Sequence, residues 1–497
     1  MITFNPFGQR RSGVLLHPTS LPGKWGNGDF GEEAYRFIDF LETSGQSVWQ
    51  ILPLGPTHHH GSPYQCLSAH AFNPQLINLE NLVERGWLLS DELDDAFKYG
   101  SRDEVVLRYH TLEQACGGFS QRASEADKAA LQDYVKQQST WLHDFALYLA
   151  IRKENDGRDW SQWPAALRDR DDTALNDARV RLAHFIEQLI FEQFAASLQW
   201  FDLKAYANKK GVLIFGDMPI FVAYDSAEVW AQREYFTIDD EGRSTVVAGV
   251  PPDYFSATGQ RWGNPHYRWD VMEADGFKWW LERMSTQMEL FDLLRIDHFR
   301  GFEAYWEIPA EEDVAINGHW VKAPGDQLFA AFKAHFGRLP LVAEDLGVIT
   351  PEVDQLRHKY GLPGMKILQF AFGGDSDNPY LPHNHEHDSI VYTGTHDNNT
   401  TMGWYDELSD EERHNVHQYL GPLKEEMPWA LIRSLMASVG QMAILPMQDV
   451  LELGSDQRMN IPGTVDDNWL WRFNWDQVSD ENVARLRDLT VRYGRHV

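Results

Sequence analysis

The chain reads as an α/β protein built around a closed barrel of eight parallel strands that carries helical and loop-rich insertions. Three observations predict this. Short apolar, β-branched runs ending in polar or Gly/Pro punctuation recur along the chain, and most are followed by a segment of helical period. The runs are continuously apolar rather than alternating, as befits strands buried on both faces of a parallel sheet. Acidic residues gather where the runs end. Strand and helix alternating eight times predict a (β/α)8 TIM barrel.

The strand candidates are, in order, "GVLLH" from Gly13, "SVWQILPLG" from Ser47, "GVLIFGDMPIFV" from Gly211 and "LLRIDHF" from Leu293. They continue with "LPLVAEDLG" from Leu339, "MKILQF" from Met365, "SIVYTGTHD" from Ser389 and "QMAILPMQD" from Gln441. After the first, "FGEEAYRFIDFLETSG" puts Ala34, Phe37, Ile38 and Leu41 on one stripe and closes with Gly45 as a C′ residue. After the fifth, Thr350 and Pro351 open a helix as N-cap and first helical residue.

At 497 residues the chain exceeds a minimal barrel of about 250. Residues 75–205, between strands two and three, carry charged amphipathic patterns and read as a helical insertion. Residues 223–285, between strands three and four, are rich in Trp, Tyr, Gly and Pro and read as a loop-rich insertion near the barrel mouth. Residues 1–497 are therefore expected to form a single catalytic barrel with two excursions.

Composition narrows the partners. A formal net charge of −30 repels phosphate backbones and anionic lipid, so neither nucleic acid nor a membrane surface is expected. Cys66 and Cys116 cannot build a disulfide framework, the N-terminus lacks the apolar core of a secretory signal, and no run reaches transmembrane length. A reducing cytoplasm is the expected location. Aromatic residues make up 13% of the chain; most belong in the core, yet indole and phenol faces also suit the apolar side of a sugar ring. Monomer and dimer are both open.

Barrel enzymes keep their chemistry where strands end. Those positions hold Asp217, Arg295 and Asp297, Glu344 and Asp345, His396 and Asp397, and Gln448 and Asp449: a ring of acids around one opening. A lone Asp there is more often a cap or turn residue, but crowded carboxylates raise one another's pKa, and a fold avoids that unless it uses the result. Arg295 and Asp297, two residues apart on a strand, share a face, so the guanidinium holds the carboxylate ionised. An ionised carboxylate beside a protonated one is what retaining glycosidic cleavage requires. His17, His298 and His396 also lie at strand ends, but no H-x-H or H-E-x-x-H spacing supports a metal centre, and "HHH" at 58–60 reads as a solvated loop. No metal is expected.

"GDMPIFV", "LLRIDHFRG", "LVAEDLG" and "YTGTHDNNT", in that order, resemble the four signature regions of the α-amylase clan. With "HPTSLPG" at 17–23, "SPYQ" at 62–65, "GQRWGNP" at 259–265 and "RMNIPGT" at 458–464, the chain is similar to glycoside hydrolase family 77, the amylomaltase or 4-α-glucanotransferase family. The resemblance implies Asp297 as nucleophile, Glu344 as acid/base, and Asp397 with His396 and Arg295 on the hydroxyls of the distorted sugar. It implies Asp217 in support, and Tyr64, Tyr254, Phe255, Trp262 and Asn460 lining donor and acceptor subsites. It also implies maltooligosaccharides and other α-1,4-glucans as substrates, no cofactor, and no separate C-terminal β-domain. The sequence departs from the family pattern at His58–His60, where a Gly- and acid-containing turn is usual, and at Arg261, where an apolar residue is commoner.

The carboxylates serve transfer and hydrolysis alike, because both pass through a glycosyl-enzyme intermediate. An oriented sugar hydroxyl reaches effective molarities of order 10⁵ M or more, so an aromatic cover that excludes water favours transfer. Residues 249–267 are the expected cover. The alternatives are an α-glucan hydrolase of the same clan and, from another class, a non-catalytic glucan-binding protein.

Overall fold

The computed structural model describes residues 5–101, 103–252, 256–421 and 425–497. Its centre is one sheet of eight strands: β1 (Arg11–Leu15), β2 (Val48–Gln50), β3 (Leu213–Met218), β4 (Leu293–Ile296), β5 (Leu341–Ala343), β6 (Gly364–Ile367), β7 (Ser389–Tyr392) and β8 (Met442–Pro446). All ladders are parallel, in the order β6-β7-β8-β1-β2-β3-β4-β5. The Ala343 N–H donates to the Pro363 carbonyl at 2.8 Å and draws β5 to β6, closing the barrel. Every run read as a strand from the sequence is one.

Nearly every strand residue is buried, as continuous apolar runs require. Gly13 is needed where β1 meets β2, because a Cβ there would stand 2.3 Å from the Val48 carbonyl oxygen. The helix Glu32–Thr43 buries Ala34, Phe37, Ile38 and Leu41, and Phe37 packs edge-on against Trp49 of β2. Each such large apolar side chain contributes about 1.5–3 kcal/mol on burial. The chain leaves the helix through Gly45 at φ +76°. Thr350 stands at the N-cap of Pro351–Lys359, but its hydroxyl makes no capping bond.

Between β2 and β3 the chain forms a run of helices from Leu79–Glu84 to the 27-residue Ala183–Lys209. Arg108, fully buried in Glu104–Arg122, ties this layer to the loop after β1: it donates to the Trp25 carbonyl at 3.4 Å and faces Asp29 at 3.7 Å. No strand follows β8 among the described residues, and the helix Asp480–Arg492 packs back on Glu32–Thr43.

The segment expected to be loop-rich holds more regular structure than its composition suggests. Val246–Val250 and Gln260–Arg261 join Ala304–Pro309 and His319–Lys322 in a four-stranded antiparallel sheet. Half of that sheet comes from beyond β4, so only pairing across β4 reveals it. Lys278–Leu290 is the helix that leads into β4. Among the described residues, no helix is long and apolar enough to cross a membrane.

Candidate active site

β3 and β4 set the first part of the site. Asp217 and Arg295 are register partners on these neighbouring strands, and the guanidinium forks between two acids. Arg295 Nη1 lies 2.6 Å from Asp217 Oδ2, and Nη2 lies 3.0 Å from Asp297 Oδ1. The side chains of Arg295 and Asp217 are sealed from solvent, whereas Asp297 keeps 28% of its side chain open. The Tyr64 hydroxyl donates to Asp217 Oδ2 at 2.8 Å, and its ring stacks on His396 at 5.2 Å and 13°. Tyr64, Asp217, Arg295 and Asp297 thus form one chain of hydrogen bonds and ion pairs at the barrel mouth.

The second part is built by an unusual turn. Immediately after Asp297, His298 adopts φ +52°, a left-handed conformation that costs a non-glycine residue energy. In it the His298 N–H donates to Glu344 Oε2 at 2.7 Å, while the Leu346 N–H donates to Oε1 at 3.0 Å. Burial pushes the Asp297 carboxyl up to about 6; Arg295 pulls against it, and Asp217 and Asp397 add to the rise. Burial pushes Glu344 up to about 7, again opposed by Arg295 and reinforced by the Asp297 charge. The acid nearer Arg295 therefore ionises first and the other holds its proton longer, which is the division of labour that retaining glycosidic chemistry needs.

Asp397, after β7, is held differently. Burial works against its charge, but His396 at 3.3 Å, the Asn460 amide at 2.6 Å and Arg295 outweigh it and keep the carboxyl well below the ordinary range. Arg458 braces the same residue from behind, donating to its carbonyl at 3.0 Å. His17 sits beneath His396, and burial keeps its imidazole neutral, at about 3.

Asp297 and Asp397 line one cleft of about 480 Å³ together with Tyr64, Trp262, Asn460 and Trp469. Trp262 meets the His298 ring edge-on at 4.9 Å. Tyr254 and Phe255 lie outside the described residues. Trp469, which sequence reasoning missed, packs against Tyr64 at 5.9 Å and His396 at 6.0 Å with its backbone at φ +67°. A bulky residue held left-handed beside a cleft marks a site in the folded chain, but the sequence carries no trace of it.

Part of the predicted ring of acids is absent. Asp345 follows Glu344 in extended chain and so points the opposite way, where it accepts from the Met365 N–H at 2.7 Å and faces Arg357 at 3.3 Å. Asp449 is buried in the one-turn helix Met447–Val450 and accepts from Thr393 and Thr401. Gln448 lines the small cavity of His17 instead. The histidine triplet is no free loop: His58 stands 3.8 Å from Asp225, His59 is exposed, and His60 lines the cleft. Arg261, on the edge of the antiparallel sheet, donates to the Ala310 carbonyl at 3.1 Å.

Among the described residues, one group of side chains has metal-ligand spacing: His358, Glu386 and Asp388, all exposed. It precedes β7, at the barrel end away from the acids, and the Arg357 guanidinium lies 3.1 Å from His358 and 3.9 Å from Asp388. A fixed cation at that distance competes with any metal.

The sequence model of the 4-alpha-glucanotransferase family, glycoside hydrolase family 77, matches residues 16–478. The 4-alpha-glucanotransferase of Thermus thermophilus is 50% identical over 96% of this chain and 97% of its own length. That of Synechocystis is 48% identical over 98% of this chain and 99% of its own. The amylomaltase of Streptococcus agalactiae, solved in complex with acarbose, superposes with a TM-score of 0.94 at 40% identity, covering 98% of this chain and all of that one. The amylomaltase of Corynebacterium glutamicum shares the fold at 18% identity, with a TM-score of 0.78 over 98% of this chain and 75% of its own. The chain belongs to glycoside hydrolase family 77, the 4-alpha-glucanotransferase family.

Proposed function

We propose that the chain moves α-1,4-glucan segments between maltooligosaccharides by double displacement through a covalent glycosyl-enzyme intermediate. The enzyme class follows from family membership. The residue roles rest on one observation: Asp297 is forked to Arg295 on one side of the mouth, while Glu344 is held with raised proton affinity by the His298 and Leu346 amides.

In the first step an Asp297 oxygen attacks the anomeric carbon, the glycosidic C–O bond breaks, and Glu344 gives its proton to the departing 4-oxygen. In the second, the 4-hydroxyl of an acceptor chain loses its proton to Glu344 and attacks the same carbon, and the Asp297 ester leaves as a carboxylate. Asp397, ionised throughout, takes the hydroxyls of the reacting sugar with His396 and Arg295, and Tyr64 packs against it with Asp217 in support. Asn460 orients Asp397. Trp262 covers the cleft and keeps water from the intermediate. These steps use carboxylates alone, so no cofactor enters.

Residues 1–497 work as one catalytic barrel, with 75–205 and 223–285 as excursions from it. The two free cysteines suit a reducing cytoplasm. Incubation with maltotriose tests the reading. Transfer releases glucose and longer chains at constant total reducing ends; hydrolysis raises that total, and a rise matching all the glucose released replaces the transferase with an α-glucan hydrolase.

A further inference from the structure

The histidine triplet is a motif of the sequence that the proposed chemistry leaves unused. His60 lines the same cleft as Asp297 and Asp397, so a chain reaching the acids passes it. Its ring is held in a fixed direction. The Ser62 N–H donates to His60 Nδ1 at 3.4 Å, and the rings of His58 and His59 lie 5.8 Å and 5.3 Å from it. His58 is anchored in turn beside Asp225, which accepts from Tyr148 at 2.5 Å and Arg152 Nε at 3.2 Å, both on the helix Leu142–Glu154. An imidazole whose Nδ1 accepts carries its proton on Nε2 when neutral. Burial and the neighbouring His59 lower its pKa and favour that neutral form. Among the described residues nothing accepts from this Nε2–H.

We propose that His60 is a specificity-determining residue whose Nε2–H donates to a hydroxyl of a glucose unit beyond the one at the scissile bond. This rests on the glucan reading of the cleft. A neutral, pre-oriented N–H suits a hydroxyl, and little side-chain freedom is lost when it binds. Tyr64, four residues further along the loop, already faces the acids through Asp217 and His396, which leaves His60 for a sugar further out.

Steady-state kinetics with maltotriose through maltoheptaose test this on the wild type, His60→Ala and His60→Gln. In His60→Ala, KM for the longer chains rises about 3–10-fold relative to maltotriose, the size expected for one neutral hydrogen bond. His60→Gln keeps an N–H donor and restores the wild-type length profile. An alanine profile identical to the wild type overturns the proposal, and so does a glutamine variant as impaired as alanine. A wild type silent on every maltooligosaccharide overturns the glucan reading itself, and this proposal with it.

Discussion

Arg295 stands 3.0 Å from Asp297 and reaches, with the other arm of its guanidinium, to 2.6 Å from Asp217. One cation thus neutralises two acids, and only a planar fork does so in this geometry. Lysine keeps the charge and loses the fork. In Arg295→Lys, Asp297 therefore loses counter-charge and its pKa rises further. The acid limb of kcat/KM against pH moves to higher pH by about one unit or more, and kcat/KM at the optimum falls by about 10²–10³. An unmoved acid limb in the pH–rate profile would reduce the pair to a structural tie.

In the proposed mechanism the carboxyls of Asp297 and Glu344 set the pH range of the wild type. Asp297 must be ionised, and it is lost as nucleophile when pH falls below about 6. Glu344 must be protonated, and it is lost as acid when pH rises above about 7. A narrow bell in kcat/KM is expected, centred between those values, with both limbs belonging to the pair because the charges interact. A profile flat from pH 4 to 9, about two pH units beyond each limb, contradicts the assignment.

Asp297→Asn and Glu344→Gln each lower turnover of maltotriose by orders of magnitude with the fold intact. The two separate on an α-maltosyl fluoride donor, whose fluoride leaves without protonation. Glu344→Gln still forms the glycosyl-enzyme from it, detectable by mass, whereas Asp297→Asn does not. Near-normal maltotriose turnover in either variant removes that residue from the mechanism.

The strand-end residues proposed to react were the most legible part of the chain, because strand ends can be read from apolar runs and a barrel places those ends in one ring. The alternation of side-chain directions was the check that Asp345 needed: its neighbour Glu344 is on the side of Arg295 and Asp297, so Asp345 faces Arg357. The antiparallel sheet escaped because Val246–Val250 pairs with Ala304–Pro309 across the whole of β4, and no local period encodes such pairing. Trp469 and His60 escaped for a related reason. Each enters the cleft from a loop whose direction is set by contacts distant in sequence, Met459 accepting from the Trp469 N–H at 2.7 Å and Asp225 anchoring His58.

Trp262 lines the side of the cleft next to His298. Removing the indole admits water to the intermediate without touching the carboxylates. Trp262→Ala should raise the share of glycosyl-enzyme captured by water several-fold, seen as growth in total reducing ends during incubation with maltotriose, while the intermediate still forms. Unchanged partition between water and sugar would locate the cover elsewhere.

Asp449 holds the barrel together and stands apart from the acids proposed to react. Its carboxylate accepts from the Thr393 hydroxyl at 2.6 Å, the Thr401 N–H at 2.7 Å and the Thr401 hydroxyl at 2.7 Å, linking the end of β7 to the helix Thr401–Glu407. The residue is 1% exposed, so in Asp449→Ala no solvent replaces the lost acceptor. Each donor left unpaired costs about 1–3 kcal/mol, and the variant should unfold at clearly lower denaturant concentration than the wild type. The pH optimum of what remains folded should not move, because the carboxylate lies outside the cleft. A shifted optimum at unchanged stability would return Asp449 to the ring of acids that its sequence position suggested.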